Sequence, residues 1–306
     1  MLWRLESLSV AGVEGTVLGT LVMPYCSGFG NLVFAYVLGQ SGGDSREVMT
    51  NCLVNNVTNV TLLIGLPALL WSLPLAARKG VSAKKKSRPR GDDVQRVNRL
   101  SLLLTLIAAL FFTGATWALG RDGRIEFGDG LVLVGFFLFW QTIHIFEVLK
   151  TNVRQKRSFT FMLVIDIALL LAGTDAVYIS TDWLVNWVQS LHRGFISAKH
   201  LGWLSGWLMV LPNMLLALYY GAKRRGEVVY ASQIGDGHIC IPLCIGVFAL
   251  FRPVPLPDFF ALGVWLLVAA VAVHFFFVAI LGRLPRWAGA LLVASYGVFL
   301  WKGLVK

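Results

Sequence analysis

The stretch TNCLVNNVTNVTLLIG, Thr50 to Gly65, places Asn51, Asn55, Thr58 and Asn59 within about 100° of arc on a helix. They form a polar stripe on an otherwise apolar segment. An unsatisfied amide in an apolar medium costs roughly 2 to 7 kcal/mol, so these side chains must meet protein, water or an ion. A second stretch, ASQIGDGHICIPLCIG (Ala231 to Gly246), carries Asp236 and Cys240 at i and i+4, in the places of Asn55 and Asn59. With several amides and one carboxylate these residues offer oxygen, the donor type that hard cations take. A carboxylate inside an apolar span costs about 2.5 to 3.5 kcal/mol on insertion scales and marks function by default, which puts Asp236 first. Cys240 is assigned to packing, since thiol is a poor donor for hard cations.

The chain that must position them has 306 residues, 57% of them apolar and 14% charged, with a mean hydropathy of +0.70. That composition lies beyond a soluble domain and indicates an all-α polytopic membrane protein. At about 20 apolar residues per crossing there is room for about nine transmembrane helices. They run near 12–38, 48–74, 99–119, 128–149, 159–180, 197–221, 228–251, 258–282 and 286–303. Residues 180–195 read either as an interfacial helix or as the tail of the fifth span.

Lys and Arg concentrate at Arg4, from Arg78 to Arg99, from Lys150 to Arg157, at Lys223 to Arg225 and at Arg283 and Arg286, all on one side of such a layout. The positive-inside bias places the N-terminus in the cytoplasm and the C-terminus outside, at the plasma membrane. The formal net charge of +11 is thus topology rather than a nucleic-acid footprint. The basic loop 75–98 is expected to touch anionic lipid. The 4 cysteines, Cys26, Cys52, Cys240 and Cys244, fall in apolar segments and suggest neither a disulfide framework nor a metal site. The opening MLWRLESLSV lacks the pattern of a cleaved signal peptide.

Other polar residues have plainer readings. Asp166 and Asp175 are separated by about 180° of helical rotation, so at most one could line a given pathway, and Asp175 lies close to water. His144 and Glu147 suit a local i, i+3 pair, Glu14 an interfacial position, and His238 packing, with a proton relay beside Asp236 as the other option. The N-x-T triplets at Asn56 and Asn59 fall at membrane depth, where no glycan is attached. Trp183, Trp187, Trp203 and Trp207 suit interface belts. No paired histidines suggest haem or quinone, no cofactor is implied, and no nucleophile and base constellation suggests an enzyme.

Two pairs of spans can be superposed. YCSGFGNLV precedes the first polar stretch and WLMVLPNML the second, with Asn31 and Asn55 spaced as Asn213 and Asp236 are to within one residue. Each block ends in glycine, Gly65 or Gly246. The loop joining the first pair falls outside and that joining the second inside, so the chain reads as two inverted-topology repeats. Residues 1–150 hold the first (12–74), and residues 151–306 hold the second (197–251). Gly28, Gly30 and Pro212 stand where helices would break and free carbonyls.

At these residues the chain resembles the cation/calcium exchanger superfamily, which includes the sodium/calcium exchangers. Its repeats read approximately G-T-S-L-P-E-L, then G-N-x-x-G-S-N-x-x-N-x-L-x-x-x-G. CSGFGNL stands in the first position, LMVLPNM keeps Leu211 and Pro212, the first polar stretch keeps Asn51, Asn56, Asn59 and Gly65, and the second keeps Gly235 and Gly246. The resemblance implies secondary cation antiport by alternating access, with Asn31, Asn55, Asn59, Asn213, Asp236 and Ser27 around a midplane site. Asn31 and Asn213 stand where the family has its glutamates, and the family's first span has no counterpart here. Those departures leave a second reading, a non-transporting relative that serves as a membrane subunit or scaffold. The partners implied are the lipid bilayer, a small cation, and a second copy of the chain or a membrane partner subunit.

Overall fold

The computed structural model describes residues 23–74, 90–152, 161–191 and 194–304. The expectations for Arg4, Glu14, residues 12–22 and most of the basic loop lie outside these residues, as do the side chains of Cys26, Ser27, His144, Glu147 and Asp166.

Helix α1 (Met23–Gln40) leads through a short turn to α2 (Arg46–Val57), which passes through a π-helical turn (Thr58–Leu63) into α3 (Ile64–Trp71). Then come α4 (Arg90–Leu119), α5 (Phe127–Asn152), α6 (Phe161–Ser190) and α7 (Leu201–Ala222). Helix α8 (Gly226–Ile239) continues through a second π turn (Cys240–Ile245) into α9 (Gly246–Ala249). Last are α10 (Phe260–Phe276), ending in a π turn (Phe277–Leu281), and α11 (Arg286–Leu304). Residues 180–190 are the tail of α6, and the end of the basic stretch, from Arg90, is already helical.

Among the described residues 6 helical segments are long and apolar enough to cross a membrane: Arg46–Trp71, Arg99–Asp122, Ala198–Ala222, Gly226–Ala249, Phe260–Leu281 and Arg286–Leu304. The fold is therefore polytopic and helical. The stretch that carries α2 and α3 is 78% buried and the one that carries α8 and α9 is 83% buried, against 28% to 44% in the other four. The most polar segments thus sit at the centre, where protein and not lipid meets their amides.

Small residues allow that centre to close. A Cβ on Gly202 of α7 would stand 2.6 Å from the Glu47 carbonyl oxygen of α2, and one on Gly206 would stand 3.1 Å from that of Asn51. Backbones approach this closely only where a side chain is missing. Valine at Gly202 is expected to lower stability by about 1 to 3 kcal/mol through overpacking, read as a lower unfolding temperature in detergent.

Helices α7 and α2–α3 run parallel, since Gly202 meets Glu47 and Gly221 meets Pro67. Helix α8 runs back, its Gly226 against the Pro74 carbonyl beyond α3. Matching features stand at the two ends. Gly65 and Gly289 bring α3 onto α11, and Gly246 and Gly130 bring α9 onto α5. After α3, β1 (Leu73–Pro74) pairs antiparallel with β4 (Arg283–Leu284); after α9, β3 (Val254–Pro255) pairs antiparallel with β2 (Arg124–Ile125).

Two sequence expectations are corrected. Helices α1 and α7 do not break at Gly28, Gly30 or Pro212. Gly28 instead admits Ile239, which a Cβ would meet at 2.8 Å, and Gly30 admits Met209. The irregular backbone lies in the π turns, which disturb the i→i−4 ladder. Trp203 and Trp207 do not belong to an interface belt: Trp203 is buried against Phe259 and Phe299, and Trp207 is partly buried and donates Nε1–H to Tyr296 OH at 2.9 Å. Trp183 and Trp187 are exposed and stacked on each other.

Candidate cation site

Asn31 comes from α1, Asn55 from α2, Asn59 from the first π turn, Asn213 from α7 and Asp236 from α8, and all are fully buried. Asn59 Nδ2 donates to Asp236 Oδ2 at 2.7 Å and to Asn55 Oδ1 at 2.8 Å. Asn55 Nδ2 donates to Asn31 Oδ1 at 3.3 Å. Asn213 Nδ2 donates to Asp236 Oδ2 at 3.3 Å and to Asn59 Oδ1 at 3.4 Å. The expected residues whose side chains are described thus form one hydrogen-bonded cluster, midway along the central helices.

The cluster is not saturated. Asn213 Oδ1 and Asn31 Nδ2 are buried without a partner, as is Gln233 Oε1 on α8. Gln233 is fully buried and donates Nε2–H to the Asn213 main-chain oxygen at 3.2 Å. Its position, one turn before Asp236 in an apolar helix, was the signal available in the sequence.

Asn51 and Thr58, the rest of the stripe, reach neighbouring helices: Asn51 Nδ2 donates to Ser205 Oγ of α7 at 2.9 Å. Asn56 bonds within α2, its Nδ2 donating to Cys52 O at 2.6 Å. Thr58 donates to Val54 O at 2.6 Å, and its Oγ1 lies 3.1 Å from Tyr296 OH of α11. Tyr296→Phe, which removes the group bridging Thr58 and Trp207, is expected to cost about 1 kcal/mol in a denaturant titration.

His274 of α10 is a residue the sequence reading passed over, although it is the only ionisable group in FALGVWLLVAAVAVHFF. Its Nε2 donates to Val60 O inside the first π turn at 2.7 Å, and its Nδ1 accepts from Tyr230 OH at 2.9 Å. The third π turn is held similarly, Arg99 donating to Val278 O at 2.8 Å and to Ala279 O. His238 turns away from the cluster: its Nε2 donates to Thr105 O of α4 at 3.0 Å and its ring packs on Phe112 and Trp140. Cys52, Cys240 and Cys244 are buried free thiols, and Asp175 is exposed.

At the N-terminal end of α2 a cavity of about 1070 Å³ is lined by Asp44, Glu47, Thr50, His200, Asp258 and Lys302, among others. Glu47 accepts the Gly202 N–H at 2.5 Å there, at the start of α7. From Thr50 the stripe continues inward through Asn51 to Asn55. Among the described residues no group of three or more His, Cys, Asp or Glu could hold a metal, so any ion at the cluster must be held mainly by amide oxygen.

The fold is similar to that of the sodium-calcium exchanger NCX_Mj. The structure of that protein soaked with 10 mM Na+ and 10 mM Sr2+ is 20% identical, covers 94% of this chain and 86% of that one, and gives a TM-score of 0.62. The one soaked with 2.5 mM Na+ and 10 mM Sr2+ is 20% identical over 92% of this chain and 85% of that one, with a TM-score of 0.61. No curated protein matches. The model of the sodium/calcium exchanger protein family matches residues 1–146 and 165–302. On that match, which takes in both halves of the buried cluster, the chain belongs to the sodium/calcium exchanger protein family.

Proposed function

We propose that the chain is a secondary active cation antiporter whose ion sits at Asp236, Asn59, Asn55, Asn31 and Asn213, midway across the bilayer, between two repeats of inverted topology. The observation that carries this reading is the fully buried carboxylate, which accepts from an amide of the opposite half of the chain, Asn59, and from one of its own half, Asn213. A charge at that depth is expensive to keep and suits an ion pathway.

The inverted repeat is supported by the paired features of the two halves. Each central helix carries a π turn that begins three or four residues past Asn55 or Asp236, each continues into a glycine crossing, and each ends in a two-residue antiparallel pair. Helices α2 and α8 run in opposite directions, as inversion requires. Ser27 stays with the proposed ligand set on the family resemblance alone.

On this reading the cavity at Glu47 is one mouth, and the stripe from Thr50 to Asn55 leads from it to the cluster. A cation arriving at Asp236 displaces the Asn59 and Asn213 donors, whose carboxamides turn to offer oxygen. The amides thus hold the carboxylate when the ion is absent and coordinate the ion when it is present. Positive-inside bias assigns the loops after α3 and α7 to the cytoplasm of a plasma membrane.

The test is flux in proteoliposomes under opposed gradients of Na+, K+, Ca2+ and H+. Uptake of one cation that requires efflux of another is the expected result. A chain inert under every pair would sink antiport and leave the membrane-subunit reading, which the asparagines at the family's glutamate positions favour.

A further inference from the structure

Resting on the assignment of this cluster as a cation site, we infer that the cation it holds is a monovalent alkali-metal ion, that divalent ions are excluded, and that Gln233 is a further ligand. Asn31, Asn55, Asn59, Asn213 and Gln233 are neutral, fully buried and drawn from α1, α2, the first π turn, α7 and α8, and Asp236 is the one carboxylate among them. The nearest other described carboxyl groups on the central helices are remote. Glu227 lies about 13 Å back along α8 and is paired with Arg225. Glu47 lies about 12 Å from Asn55 along α2 and is bonded to the α7 N-terminus.

The remaining ionisable groups facing this region add no anion-bearing carboxyl. Cys240 and Cys244 sit in the second π turn and Cys52 on α2; His238 is engaged with Thr105, and Tyr230 with His274. A monovalent ion beside Asp236 leaves the interior neutral. A divalent ion leaves one uncompensated positive charge in a water-poor interior, where an unpaired charge is strongly disfavoured.

The neutral oxygens are in place for the same ion. Asn213 Oδ1 and Gln233 Oε1 are buried acceptors without a donor, and the Gln233 bond to the Asn213 main chain ties both to one spot on α7. Native interiors rarely leave such acceptors unmatched, and an amide oxygen is a ready ligand for a hard cation.

Equilibrium binding tests this independently of transport. The full chain in detergent is heated with Na+, K+, Ca2+ or Sr2+ added at ionic strength held constant by N-methyl-D-glucamine chloride, since a ligand of the folded state raises Tm. Na+ or K+ is expected to raise Tm saturably, with no shift from Ca2+ or Sr2+. Asp236→Asn removes the monovalent shift, and Gln233→Leu raises its half-saturating concentration about tenfold. Asn31→Asp together with Asn213→Asp brings in a Ca2+ response. A Ca2+ or Sr2+ shift in the native chain that Asp236→Asn abolishes would overturn the inference, as would no shift from either monovalent ion. Competition in the native chain alone also decides it, because Ca2+ that displaces the Na+ or K+ effect contradicts it whether or not a variant folds. A monovalent shift without flux would remove antiport and keep this assignment; Ca2+ flux through Asp236 would do the reverse.

Discussion

Asp236→Asn is expected to abolish cation flux while leaving the protein folded. The carboxylate is the only formal charge in the cluster, and a unit charge pair near 4 Å at an effective dielectric of 20 is worth about 4 kcal/mol, or about a thousandfold in affinity. The substitution keeps the side chain's shape and an acceptor oxygen for Asn59 and Asn213, which now donate to Oδ2 at 2.7 and 3.3 Å. Removing a buried charge while both amide bonds keep an acceptor is expected to leave the fold intact. Proteoliposome flux and thermal unfolding on one preparation check both halves. Undiminished flux would mean that the ion passes elsewhere.

Asn59→Leu should act in the opposite sense on stability. Asn59 joins Asn55, Asp236 and Asn213, so a leucine of similar volume strips the carboxylate of its shortest bond and leaves the Asn55 oxygen without a donor. Bonds to a charged group are worth about 1.5 to 3 kcal/mol each, and a stranded buried charge adds to the cost, so a loss of about 3 kcal/mol is expected in a denaturant titration. Adding Asp236→Leu should restore much of it, because the stranded charge is then gone. A stable single variant, or a double variant weaker than the single, would show that Asn59 does not hold Asp236.

The contrast between these substitutions explains what the sequence made legible. Asp236 and the α2 amides stood out because polar side chains in apolar spans need partners, and the spacing of Asn31–Asn55 and Asn213–Asp236 indicated which spans would bring them together. Their partners were not legible. Spacing within one helix says nothing of which face meets which helix, so the direct bond from Asn59 to Asp236 needed the fold.

Glycine was ambiguous for a related reason. Gly28 and Gly30 serve as well to admit a neighbour as to end a helix, and the neighbours, Ile239 and Met209, come from the other half of the chain. The π turns left no trace in hydropathy, since one extra residue per turn changes hydrogen bonding and not composition. Trp203 and Trp207 were misplaced because aromatic abundance carries no record of facing, and their side of α7 lies against α10 and α11. His274 obeyed the rule that singled out Asp236, an ionisable group in an apolar span, yet its partner, a carbonyl in the first π turn, could not be foreseen without that turn.

The most direct test of the central claim is an anomalous difference map from crystals soaked in Tl+ or in Sr2+, heavy stand-ins for a monovalent and a divalent cation. A Tl+ peak in coordination range of the Asp236 carboxylate, with amide oxygen of Asn59 or Asn213 beside it and no Sr2+ peak there, is the outcome expected. Saturating Tl+ soaks that leave this cluster without a peak, or that place the ion at another group of oxygens, would contradict it.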